Sequence, residues 1–317
     1  MTQDTTPVLI SGGGPVGLVL AIELAGRGVR SILVNTEPTT AVHPQGNTHN
    51  ARTMEHYRRL GIADRVRAVG LPQDLTTDVI YLTRFTGYEF ARIPMPSSTE
   101  KKRRIAARDM SFLTPEPIHR SSQFYVETEL FAHAETLPEI GLRFGWELIA
   151  FDLQDDCVLS TIRNAETGET ETIASRWLAG CDGAQGYTRR ALEIPYRGEG
   201  GDEVAFFIGR MLSVYIDAPG IYDVMKVDRV WQYWTVNGDG RMCIVTLDAK
   251  GKFVVLTRYP ESGEPDEADI IRDIRNAMGA EIDIEIISVR EWTAGNALVA
   301  DRYGDDRVML AGDAVHL

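Results

Sequence analysis

Three glycines, Gly12, Gly14 and Gly17, close the apolar run Val8-Leu9-Ile10 and open into Leu18-Val19-Leu20-Ala21-Ile22. At this spacing the first glycine permits a tight turn, the second lets backbone N–H groups approach a diphosphate, and the third lets a helix pack closely on a strand. Pro15 fits the first helical turn, where a missing N–H costs nothing. The positive end of the helix then faces the phosphate charge. Gly28 sits where a left-handed residue ends a helix, just before Ser31-Ile32-Leu33-Val34. Strand, glycine turn, helix and strand make one βαβ unit of dinucleotide-binding type.

Other residues with chemical potential lie further along. The second strand ends at Asn35, with Glu37 two residues on, where such a fold places an acceptor for the adenosine ribose. An amide can still accept that bond; an ordinary turn is the alternative. A polar loop follows with His43, Gln45, Asn47, His49 and Arg52 close to the glycine turn in sequence. Asp182-Gly183 and Gly312-Asp313 each follow an apolar strand-like run, and Asp313 stands where a helix would begin.

The elements that would carry these groups follow from periodicity. Ala51, Met54, Tyr57 and Leu60 predict a helix capped by Asn47 or Asn50 and stopped by Gly61. Val79–Leu82 and Tyr88–Ile93 read as strands, and Lys101-Lys102-Arg103-Arg104 as a solvated loop. Val126, Leu130, Ala134 and Leu137 form one stripe of a helix begun near Gln123, and a hairpin turns around residues 165–169. From Gly186 to Arg290 the pattern is mainly β: Phe206-Phe207-Ile208, Leu212–Ile216, Val230–Trp234, Met242–Val245, Phe253–Leu256 and Ile282–Ile286. One helix interrupts after Pro265, with Ile270, Ile274 and Met278 before Gly279. The Trp- and Tyr-rich sheet is either core or the wall of a site for an aromatic ligand.

With 33 basic and 46 acidic residues the net charge is −13, which opposes general attraction to nucleic acid or anionic membrane. Cys157, Cys181 and Cys243 lack metal-site spacing and are odd in number, so neither a disulfide framework nor a metal site is expected, and the chain is placed in a cytoplasm. No apolar run reaches the roughly 18 residues of a membrane span.

Taken together, the Gly12–Gly17 fingerprint, Cys181-Asp182-Gly183-Ala184 with Arg189 and Arg190 beyond it, and Leu310-Ala311-Gly312-Asp313-Ala314 resemble the flavin-dependent aromatic hydroxylases. These are the single-component FAD monooxygenases of the p-hydroxybenzoate and phenol hydroxylase type. The resemblance implies an α/β fold, a Rossmann-like FAD-binding domain (residues 1–75, 105–185 and 291–317) interleaved with a β-sheet-rich substrate domain (76–104 and 186–290). It implies that the first motif holds the FAD diphosphate, that Asp182 and Gly183 serve FAD and NAD(P)H, and that Asp313 binds the ribityl chain. Arg52 and Gln123 match positions near the flavin. Gln45 stands where many members carry arginine, and Asn47 where phenol hydroxylases carry an acid. Asparagine cannot act as a base, so His49 is the candidate for phenol activation.

The implied reaction is hydroxylation of a phenolic or polyketide-type aromatic by O₂, with NAD(P)H reducing FAD, through a flavin C4a-hydroperoxide. Members continue beyond the Gly-Asp motif, so the resemblance also implies a truncation at Leu317. The alternatives are a non-catalytic fragment lacking part of the flavin site, or a related flavin halogenase or isoprenoid reductase. The partners expected are a small aromatic substrate and O₂, with a homo-oligomer left open.

Overall fold

The computed structural model describes residues 4–199, 210–260, 263–293 and 297–317, and the chain divides into two compact units. The first comprises residues 1–42, 126–204 and 295–317; the second comprises 43–125 and 205–294.

The first unit is a Rossmann-like α/β layer. Strand β1 (Asp4–Ser11), helix α1 (Pro15–Ala25) and strand β2 (Ser31–Asn35) form the expected βαβ unit. Its sheet runs in the order 304–305, 308–310, 170–180, 4–11, 31–35, 140–144, with 158–164 and 146–153 folded on as an antiparallel extension. The strands from Val308–Leu310 to Ile140–Phe144 are parallel neighbours. Buried on both faces, the Val8–Ile10 half of β1 is apolar without alternation, and Leu9, Ile10 and Leu33 are wholly enclosed. The helix from Gln123 ends at Ala134, burying Val126, Leu130 and Ala134, so Leu137 lies past its end.

The second unit is a seven-stranded sheet in the order 285–293, 210–217, 252–258, 240–246, 232–237, 79–82, 89–93, antiparallel except between 232–237 and 79–82. Both faces are covered. Leu212, Val214 and Ile216 share one core with Ile270, Ile274 and Met278 of the helix Glu267–Met278. That helix has Asp266 as its N-terminal cap and left-handed Gly279 at its end, as its sequence signals predict. Tyr215, Trp231, Trp234, Val245 and Val254 form a second core with Leu71, against which Phe124 and Tyr125 pack. Trp231 and Trp234 are therefore core residues.

Several expectations are corrected. Residues 43–75 and 105–125, expected in the FAD domain, cluster with the second unit, because Leu71, Phe124 and Tyr125 pack on its sheet and Thr48–His49 pairs with His119–Arg120. Lys101–Arg104 is helical: Ser97 caps the helix Ser98–Ala106 by accepting from the Glu100 N–H at 3.1 Å, and Lys101 is buried. The cap at Ala51–Arg59 is Asn50, which accepts from Thr53 N–H. Ladder pairing of the last long strand begins at Glu285, although the alternation that started at Ile282 continues through it. Phe206–Ile208 lies outside the described residues.

Candidate functional site

In the first unit three strand ends meet. Gly12 N–H donates to Val34 C=O at 2.8 Å, Cys181 N–H to Ser11 C=O at 2.7 Å, and Ala311 N–H to Gly180 C=O at 2.9 Å. Ligands of open parallel sheets bind outside such carboxyl ends. The glycines divide by role. Gly12 adopts φ +112°, and a Cβ there would lie 2.2 Å from the Cys181 carbonyl oxygen. At Gly17 a Cβ would sit 1.9 Å from the Gly12 carbonyl oxygen, so both positions are fixed by packing. Gly14 differs: its φ of −74° suits any residue, and among the described residues nothing lies within 4 Å of a Cβ built on it. It caps α1 with no side-chain hydrogen bond, Pro15 follows, and the first turn holds no acid. The N–H groups of that turn are thus left to an anion.

Asn35 braces this turn. Its Oδ1 accepts from Gly13 N–H at 2.9 Å and its Nδ2 donates to Glu37 C=O at 3.0 Å. Glu37 is exposed. Asp182 Oδ2 accepts from both the backbone N–H and the hydroxyl of Thr188 at 2.8 Å, while its Oδ1 is buried without a partner among the described residues. Gly183 is left-handed at φ +80°, and Gly312, at φ +67°, lies where a Cβ would meet the Val16 side chain at 2.8 Å. Asp313 is exposed in the short turn Gly312–Ala314, its carbonyl accepting from Tyr196 OH. Arg189 is buried and spent on the Ile194 and Ala184 carbonyls, over the Tyr196 ring. An uncapped helix start and an open Gly14 fit the diphosphate of FAD, and the orphaned Asp182 oxygen fits a hydroxyl donor of the same cofactor.

In the second unit a cavity of about 400 Å³ is lined by His43, Pro44, Gln45, Asn47, Ser213, Val254, Leu256, Arg290 and Glu291. Sheet register builds its wall. Ser213 stands directly opposite Leu256 on one side and Arg290 on the other, and Tyr215 opposite Val254 and Ser288. Two rows therefore share one face. His43 is 2% exposed; its Nδ1 lies 2.7 Å from Ser288 Oγ and its Nε2 3.0 Å from Ser213 Oγ. Burial, helped by the Arg290 charge, pulls its pKa down to about 4. Glu291 accepts from Arg210 at 2.8 Å.

Asn47 and Gln45 line this cavity, and His49 does not. His49 is buried in the Thr48–His49 strand with its ring 5.8 Å from that of Tyr57, and burial lowers its pKa. Arg52 is exposed and paired with Glu55 at 3.1 Å. Gln123 donates its N–H to Gly46 C=O at 2.7 Å. His43 was visible in the sequence only as one more histidine of a polar loop, because its serine partners lie far along the chain.

The FAD binding domain family model matches residues 5–317. The chain belongs to this FAD-binding family, with flavin-dependent aromatic hydroxylases among its relatives. It is 31% identical to aklavinone 12-hydroxylase DnrF of Streptomyces peucetius subsp. caesius, over 99% of this chain and 63% of that protein. It is 30% identical to 2,4-dichlorophenol 6-monooxygenase of Cupriavidus pinatubonensis, over 98% of this chain and 52% of the other. Among solved structures it is similar to the flavin-dependent monooxygenase PieE in complex with FAD and substrate, with TM-score 0.87, 30% identity and coverage of 99% and 54%. The chain thus spans between half and two thirds of the length of these relatives. Among the described residues no helix is long and apolar enough to cross a membrane.

Proposed function

We propose that this chain carries the FAD and substrate sites of a monooxygenase that hydroxylates a phenolic or polyketide-type aromatic, using NAD(P)H and O₂. The observation that carries this reading is the cavity of about 400 Å³, with Pro44, Val254 and Leu256 as apolar wall and Ser213, Asn47, Gln45 and Arg290 as polar groups. Few polar groups in a mainly apolar concavity orient a flat ligand. The relatives' names, a dichlorophenol monooxygenase and an aklavinone hydroxylase, agree in substrate class.

In this reading the Gly12-Gly14-Pro15-Gly17 turn and α1 hold the FAD diphosphate, with Asn35 and Glu37 beside the adenosine ribose. Asp182, Gly183, Gly312 and Asp313 serve the rest of the cofactor at the strand ends, and the family resemblance adds Gln45, Arg52 and Gln123 as candidate flavin residues. When bound, the flavin supplies the redox chemistry that joins NAD(P)H oxidation to insertion of one oxygen atom. Asn47 offers the substrate an amide, and His49, enclosed between its strand and Tyr57, is a weaker candidate for proton transfer than His43.

The test is incubation of the purified chain with FAD, NAD(P)H, ¹⁸O₂ and a panel of phenols and hydroxylated polycyclic aromatics. A product gaining one ¹⁸O atom is expected. Flavin retained with no labelled product from any member of the panel would overturn the reading.

A further inference from the structure

The cavity holds a hydrogen-bonded chain whose ends differ. Ser213 lines the cavity, His43 Nε2 lies 3.0 Å from its hydroxyl, and Nδ1 lies 2.7 Å from the hydroxyl of Ser288, which is partly exposed. Each imidazole nitrogen faces a group that can both donate and accept, so either tautomer satisfies both contacts. A histidine held by a carboxylate is fixed in one tautomer; here nothing fixes it. The ring is buried and kept neutral, so it does not store a proton. A neutral ring in this setting can still pass one, taking it at Nε2 and releasing it at Nδ1.

The charges around the cavity point the same way. Glu291 is neutralised by Arg210 through two N–H contacts, and Gln45, Asn47 and Ser213 are uncharged. Arg290 also lines the cavity, directly across from Ser213. Its positive charge has no carboxylate partner among the described residues, so the cavity carries one net positive charge. That favours an anion of charge −1 over its neutral acid.

We propose that Ser213, His43 and Ser288 form a proton relay that removes the hydroxyl proton of a phenolic substrate, and that Arg290 stabilises the resulting phenolate. This rests on the phenolic reading of the same cavity. The step balances without a further reagent. The phenol O–H gives its proton to Ser213 Oγ, Ser213 gives its own to His43 Nε2, His43 gives its Nδ1 proton to Ser288 Oγ, and Ser288 releases one to water. The substrate ends as phenolate and one proton leaves the protein. Ser213, His43 and Ser288 set the rate of this transfer, whereas Arg290 sets its equilibrium.

That division gives a test that does not depend on turnover. The FAD-supplemented chain is mixed in stopped flow with 4-nitrophenol, whose phenolate absorbs in the visible, at a pH where the free compound is protonated. The wild type is expected to bind it and develop phenolate absorbance. Ser213→Ala and Ser288→Ala are expected to reach the same final absorbance roughly 100-fold more slowly, within the range of general acid–base contributions. Arg290→Gln is expected to develop its absorbance as quickly as the wild type but to a lower final value, with roughly tenfold weaker phenolate binding. His43→Gln should behave like the serine variants; because His43 is buried and could be needed for folding, the serine variants carry the test. Phenolate formation at the wild-type rate in both serine variants would overturn the relay alone. Failure of the wild type to bind any phenol would overturn the phenolic reading and the relay together.

Discussion

Gly14→Ala separates cofactor binding from packing within one motif. The position needs no glycine for its own backbone, at φ −74°, and an added methyl meets no atom of the described residues within 4 Å. The fold should therefore accept alanine at the modest cost of a poorer N-cap, about 1 kcal/mol or less, or about 1–2 °C in Tm for a chain of this size. The methyl would instead occupy the space in front of the α1 N–H groups. Displacing a phosphate from one such contact forfeits about 1.5–3 kcal/mol, which is roughly 10- to 100-fold in affinity. Gly17→Ala is the control. Its Cβ would sit 1.9 Å from the Gly12 carbonyl oxygen, so it should lose about 1–3 kcal/mol of stability by overpacking. The assay is FAD titration by flavin fluorescence, paired with thermal melts of both variants. Wild-type FAD affinity in Gly14→Ala, or a melt as damaged as that of Gly17→Ala, would refute the assignment of Gly14 to the cofactor.

Further outcomes follow from the same geometry. Asn35→Ala removes the acceptor of Gly13 N–H and the donor to Glu37 C=O, and should weaken FAD roughly tenfold in the same titration, about the worth of one hydrogen bond; Asn35→Asp, which keeps the acceptor, should bind more tightly than Asn35→Ala. His43, His49 and His119 are held neutral by burial, with His43 lowered to about 4 and His119 to about 3. Below pH 6.5 the unfolded chain therefore binds more protons, and stability present above pH 6.5 is lost as pH falls toward 4. At pH 4.5 His119 alone should cost on the order of 2–3 kcal/mol, and His119→Leu should flatten that part of the slope in urea melts. Lys101 is buried near Arg67 and Arg120 and hydrogen-bonded to Thr77 at 3.2 Å, and burial lowers its pKa to about 8. The charged form is disfavoured on folding, so stability rises between pH 8 and 10.5, and Lys101→Met should stabilise the protein at pH 7 by about 2 kcal/mol. Equal melts for Lys101→Met and wild type would contradict that burial cost.

The βαβ unit was legible because its information is local: glycine spacing, two unbroken apolar runs and Pro15 lie within residues 8–34. The helix Glu267–Met278 was legible for the same reason, between its cap and Gly279. The cavity was not. Ser213 and Arg290 become neighbours only through strand register, and His43 joins them from a loop whose histidines look alike in sequence. Charge misled at Lys101–Arg104, where four basic residues suggested solvent. The Ser97 cap and Glu100, which pairs with Arg103 and Arg104, support a helix there that buries one of the four. Asn35 was correctly placed at the strand end, but its bond to Gly13 depends on how the turn closes over it.

The most direct measurement is the visible spectrum of the purified chain after incubation with FAD and desalting, recorded before and after a phenolic ligand is added. Retained flavin bands that shift on ligand addition are expected, since a cofactor site and an aromatic-ligand site are assigned to this one chain. A colourless protein after desalting, or a bound flavin whose spectrum no phenol perturbs, would contradict that assignment.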